Sequence, residues 1–140
     1  MALKVSKAEV WTTRIEDRSG GAADKLGPLT DAGANFEFVF ARRTPEQPGS
    51  GLMMVAPLKG KKVVAAAAGA GFVRAADITA LRVEGGNKAG SAARMTQALA
   101  QAGISFRGLS AAALGTKFVG YVAFDNPGDA ERATKLLKKL

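Results

Sequence analysis

Residues 17–36 and 87–106 of this 140-residue chain are two versions of one pattern, related by a shift of 70. Asp17-Arg18-Ser19-Gly20 falls on Asn87-Lys88-Ala89-Gly90, Ala23 on Ala93, Leu29 on Leu99, Ala32-Gly33 on Ala102-Gly103, and Phe36 on Phe106. Two turns, two helical faces and two helix terminators in register restrict the fold to two copies of one supersecondary unit.

The unit follows from periodicity. Lys7 to Ile15 alternates in character and reads as a strand, with Ala8, Val10 and Thr12 on one side and Glu9, Trp11 and Thr13 on the other. After the turn Glu16 to Gly21, the residues Ala22, Ala23, Leu26 and Leu29 keep helical spacing up to Ala32-Gly33, and Pro28 should kink or shorten that helix. Phe36–Phe40 and Leu52–Ala56 read as strands joined by a hairpin loop from Thr44 to Gly51. An Ala-rich helix from Gly60 to Ala68 and a strand from Phe72 to Ile78 complete the order β-α-β-β-α-β. The second copy has strands at Leu81–Glu84, Ile104–Leu109 and Lys117–Phe124, a helix from Ser91 to Ala102, and a final helix that runs to Leu140. The predicted fold class is α+β: a ferredoxin-like βαββαβ unit repeated twice, with antiparallel sheets and helices on one face. The modules are placed at residues 1–78 and 79–140 and form one packed unit.

The second copy lacks its own last strand. Pairing Phe72–Ile78 antiparallel with Lys7–Thr13, and continuing that register, brings Ala80–Glu84 alongside Met1–Val5. Ala2–Val5 are therefore expected to supply the missing edge strand. The apolar parity changes along both segments, which calls for a bulge or a change of core face at the junction.

Composition narrows the chemistry. With no cysteine and no histidine, disulfides, zinc sites and Ser–His–Asp catalysis are excluded. The acids Glu9, Glu16, Asp17 and Glu84 do not converge, so no catalytic constellation is predicted and no cofactor is expected. The N-terminus lacks the apolar run of a secretion signal and no stretch approaches a spanning helix, so a cytoplasmic protein without membrane contact is expected.

The segment Asp17-Arg18-Ser19-Gly20-Gly21-Ala22 resembles the Asn/Asp-Arg-Pro-Gly-x-Leu signature that opens the first helix of ACT domains, with Ser19 in place of Pro and Ala22 in place of Leu. Asn87-Lys88-Ala89-Gly90-Ser91-Ala92 is a weaker version of it. Ala32-Gly33-Ala34-Asn35-Phe36 and Ala102-Gly103-Ile104-Ser105-Phe106 are similar to the Ala-Gly-Ile-Asn that leads into that family's second strand. The resemblance covers nearly the whole chain apart from the missing strand. It implies a non-catalytic regulatory module that holds an amino acid between two modules, at the turn of one and along the edge of the other. Residues 17–21 (Asp17, Arg18, Ser19, Gly20, Gly21), Asn35, Asn87, Lys88, Gly90, Ser91, Ile104 and Ser105 are the ligand-binding positions so implied.

Physical chemistry supports such a turn. Glycines at a helix start leave backbone N–H groups facing outward, and a carboxylate or phosphate suits them. Arg18 and Lys88 add a cation, while Asp17, Asn35, Asn87 or Ser105 are placed to take an ammonium group. Exposed sheet edges point to a homodimer, and a sensing module without a catalytic domain points to a partner enzyme.

The rival reading is an RNA-binding protein with the ferredoxin-like fold of RNA-recognition motifs. Net charge is +8, and Lys117 to Phe124 satisfies the first, fourth, fifth, sixth and last positions of the RNA-recognition octapeptide. Against it, Val119 stands where a stacking aromatic is needed and Leu81-Arg82-Val83 offers no companion aromatic. Tyr121 and Phe124 have opposite parity and cannot share a sheet face. Nucleic acid is therefore the less favoured partner.

Overall fold

The computed structural model describes residues 3–140. Its elements are β1 (Lys4–Ala8), β2 (Trp11–Glu16), α1 (Gly21–Asp31), β3 (Phe38–Arg43), β4 (Ser50–Ala56), α2 (Lys61–Gly69), β5 (Val73–Arg74), β6 (Thr79–Gly86), α3 (Ser91–Gln101), β7 (Gly108–Leu114), β8 (Lys117–Phe124) and α4 (Pro127–Leu137). They form two four-stranded antiparallel sheets with four helices, an α+β fold of two ferredoxin-like repeats. Among the described residues no helix is long and apolar enough to cross a membrane.

The chain divides into two compact units. One is Glu9–Ala75; the other joins Ala76–Leu140 to the N-terminal segment through Ala8. The division therefore differs from a cut between residues 78 and 79. The strand expected from Lys7 to Ile15 is two strands, broken at Glu9-Val10, and they enter different sheets.

In the Glu9–Ala75 unit the sheet order is β3-β4-β2-β5. Trp11, Thr13 and Ile15 lie opposite Val55, Met53 and Gly51, so this parity faces the core. Leu29 of α1 and Val63 and Ala67 of α2 pack on the same cluster. Trp11 is consequently a core residue, 7% exposed. The Arg74 guanidinium stands 5.3 Å from its ring centroid, within cation–π range. β5 is only two residues long, far shorter than Phe72–Ile78. Phe72 is spent in the core, and past the Ala75 N–H···O=C bond to Val10 (3.0 Å) the chain departs for the other sheet. Pro28 does not shorten α1, which has the same 11 residues as α3. The helix loses one backbone bond at Pro28 but closes with Ala32 N–H on the Pro28 carbonyl, 3.2 Å.

In the other unit the order is β1-β6-β8-β7. β1 occupies the place that β5 holds in the first sheet. It pairs antiparallel with β6 from Lys4↔Glu84 to Ala8↔Ala80. This register is displaced by three residues from the one extrapolated from β2 and β5, where Trp11 faces Arg74. The segment from Arg74 to Thr79 holds the extra residues. An odd displacement moves every side chain to the other face, which is the physical reason for the parity change. Leu3 and Val5 thereby pack against a core of Leu81, Val83, Met95, Leu99, Val122, Phe124 and Leu137. Met1 and Ala2 lie outside the described residues, and with them the part of the edge-strand expectation that falls on Ala2.

A candidate ligand site at two equivalent strand–helix turns

The turn before α1 and the turn before α3 are built by the same hydrogen bonds. Asp17 N–H donates to Gly49 O (3.0 Å) and Asn87 N–H to Thr116 O (2.8 Å). Gly21 N–H reaches Arg18 O at 3.1 Å, and Ser91 N–H reaches Lys88 O at 3.2 Å. Gly20 and Gly90 both sit in the left-handed region at φ 85°, a conformation open to glycine without strain. The hairpin opposite is three residues shorter in the second repeat, so Val55 and Val122 become equivalent where a shift of 70 would give residue 125.

Side chains make the two turns chemically different. In the first, Arg18 is held between Glu16 and Asp24: its Nε donates to the Glu16 carboxylate, and Nη2 lies 2.5 Å from Asp24 Oδ2. The bond to Glu16, then that to Asp24, holds the Arg18 pKa above its ordinary value. Asp17 accepts from Arg43 Nε at 2.6 Å, which raises the Arg43 pKa in the same way. Gly21 is fixed by space: a Cβ there would run into the Glu16 carbonyl. Ser19 and Asn35 are exposed.

The second turn carries none of these carboxylates. The residues equivalent to Glu16, Asp17, Arg18 and Asp24 are Gly86, Asn87, Lys88 and Arg94. Arg94 donates to Ala89 O (3.2 Å) and to Ser91 Oγ (3.4 Å). Ser91 Oγ donates to Lys88 O at 2.8 Å. A cleft of about 330 Å³ opens beside this turn, lined by Leu3, Gly86, Lys88, Ala89, Ser91, Arg94, Met95 and Leu140. Of the positions singled out from sequence, Lys88 and Ser91 line it; Asn87 and Ser105 are exposed, and Gly90 starts the helix. Ile104 belongs to the core at 5% exposure, so its side chain is not available to a ligand. Sequence reasoning missed Arg94, whose signal was the reversal of charge at Asp24 under the shift of 70.

The octapeptide aromatics are divided between faces. Phe118 and Phe124 are buried in the core, and Tyr121 lies on the opposite face, across from Arg82. Arg82 Nη1 donates to Glu84 Oε2 at 2.8 Å. That bond, the largest influence, lowers the Glu84 pKa; the Arg82 charge, Lys117 and Lys4 act in the same direction.

The sequence matches no protein-family model and no curated protein. Its fold does match solved structures. A protein from Bacteroides thetaiotaomicron aligns over 94% of this chain and 88% of its own, with TM-score 0.77 and 14% identity. The ligand-free regulatory subunit of aspartate kinase from Thermus thermophilus aligns over 98% and 97%, with TM-score 0.65 and 17% identity. Aspartate kinase from Clostridium acetobutylicum aligns over 96% of this chain but 33% of its own, with TM-score 0.58 and 17% identity. Repeat, sheet order and these likenesses give a tandem of two ferredoxin-like modules, the fold that the resemblance to ACT domains implied.

Proposed function

We propose that the chain is a non-catalytic regulatory module that senses a small ligand, an amino acid, at its strand–helix turns. The observation that carries the reading is the repeated turn, with the same left-handed glycine and equivalent backbone bonds at both places. In the first turn the ligand carboxylate takes the backbone N–H groups of Ser19 and Gly20 and those of Ala22 and Ala23 at the start of α1. The carboxylates of Glu16, Asp17 and Asp24 receive the ammonium group, with Arg18 holding two of them in place. The regulatory aspartate kinase structures that share the fold support the regulatory half of the reading.

Sensing needs a ligand to favour one arrangement of the protein over another. A cytoplasmic homodimer acting on a partner enzyme is the assembly that fits a module of this kind. Calorimetric titration of the full chain against the twenty amino acids tests the proposal, with a short single-stranded RNA titrated in parallel. Saturable binding of one amino acid or a small group of them is expected. Silence toward all twenty overturns the proposal, as does RNA binding that weakens steeply with salt.

A further inference from the structure

Charge is unevenly spent in the unit that joins β1 to Ala76–Leu140. It holds eleven Lys and Arg against five Asp and Glu. All five acids are ion-paired: Asp77 and Asp125 with Arg107, Glu84 with Arg82 and Lys117, Asp129 with Arg132, and Glu131 with Lys135. Lys4, Lys7, Lys88, Arg94, Lys138 and Lys139 take part in none of these pairs.

Five of those six cations gather at one end of the unit. Lys88 and Arg94 line the cleft beside the second turn. Leu3 and Leu140 line it as well, and their exposed chain neighbours Lys4, Lys138 and Lys139 come with them to its rim. Leu140 also brings its main-chain carboxylate, which offsets one of the five charges and leaves a positive excess. The Ser91 hydroxyl is already occupied, donating to Lys88 O at 2.8 Å. A concave site with an excess of one sign concentrates the field and draws in the opposite charge. About 330 Å³ falls at the lower end of small-molecule sites. The apolar walls, Leu3, Met95 and Leu140, are aliphatic and offer no ring on which a nucleobase could stack.

We propose that this end of the unit binds a compact phosphorylated metabolite carrying two or more negative charges. Lys88 and Arg94 hold the phosphoryl oxygens. Lys4, Lys138 and Lys139 add attraction from the rim, and Leu3 and Met95 flank a short carbon body. A monovalent anion gains far less: the Leu140 carboxylate opposes it, and only a polyvalent ligand draws on several cations at once. The first turn has no such excess, because Glu16, Asp17 and Asp24 outnumber Arg18 and Arg43 there. The inference goes beyond the amino-acid reading and does not depend on it.

Inorganic pyrophosphate and acetate are the probes. Each is titrated into the isotope-labelled full chain at low ionic strength, and amide resonances report where it binds. Pyrophosphate should move the resonances of Leu3, Lys4, Gly86 to Met95 and Lys138 to Leu140, saturably, and bind at least ten times more tightly than acetate. Lys88→Glu and Arg94→Asp should each weaken it at least fivefold while leaving the remaining spectrum in place. Lys61→Glu makes the same change of net charge in the other unit and should alter the affinity less than twofold. Equal losses in all three variants overturn the inference, since total charge would then be the attractant; pyrophosphate binding no tighter than acetate overturns it too. A short single-stranded RNA that moves these resonances while pyrophosphate leaves them in place overturns it in favour of nucleic acid. If pyrophosphate binds here and no amino acid binds anywhere, the inference stands and the amino-acid proposal fails. If an amino acid binds at Asp17 to Asp24 and pyrophosphate leaves the second turn unmoved, the inference fails and that proposal stands.

Discussion

Asp24 and Arg94 hold the same place in two repeats and donate the same backbone bond, 2.9 Å to Gly20 O and 2.9 Å to Gly90 O, yet carry opposite charges. The backbone of the turn is the same in both because a left-handed glycine and a closed first helical turn join strand to helix in each. The side chains are free of that requirement, so charge is where the two turns differ.

Gly21 tests how tightly the first turn is closed. A Cβ at this position would overlap the Glu16 carbonyl, which is backbone and has little room to move. Gly21→Ala should cost about 1–3 kcal/mol by chemical denaturation. Gly69→Ala, at the end of α2 with open space around it, should gain about 0.5–1 kcal/mol. Equal effects at the two positions would contradict the steric account.

Val5 tests the N-terminal strand. It faces Val83 and packs on the core of the second repeat, whereas Ser6 points to the other side of the sheet and is exposed. Val5→Ala should lower stability by about 1–2 kcal/mol, and Ser6→Ala should change it by less than about 0.5 kcal/mol. A reversed order would mean that β1 pairs in a different register.

Acid should destabilise the protein partly through Glu84. Its folded-state pKa is lowered, chiefly by the bond from Arg82. The contribution is therefore fully present above the ordinary carboxylate pKa of about 4.3 and is lost as pH falls through the lowered value. Urea midpoints at pH 7 and pH 3 should differ less in Glu84→Gln than in the parent chain. An identical difference would remove Glu84 from the account.

The edge of β7 tests the proposed homodimer. Gly108–Leu114 contains no charge and no proline, with Leu114 at 85% exposure, whereas the equivalent edge β3 ends in Arg42 and Arg43. An uncharged edge strand is a template for pairing with a second copy. Sedimentation should show self-association that Ala111→Lys abolishes, while Val39→Lys on β3 leaves it intact. A monomeric parent chain would refute the dimer.

The sequence by itself determined what depends on neighbours along the chain. Positive-φ glycines ended the helices where Gly33 and Gly103 stand, and helical spacing placed Leu29 and Leu99 inside. The shift of 70 made the second copy readable from the first. Tertiary structure decided what depends on distant partners. The face that Trp11 presents, the three-residue change of register between β2 and β1, and the short β5 follow from which sheet each strand joins. Strand periodicity alternates identically on either choice, so only cross-strand pairing resolves it. The cleft beside Lys88 and Arg94 was likewise invisible, because Leu3 and Leu140 reach it from opposite ends of the sequence.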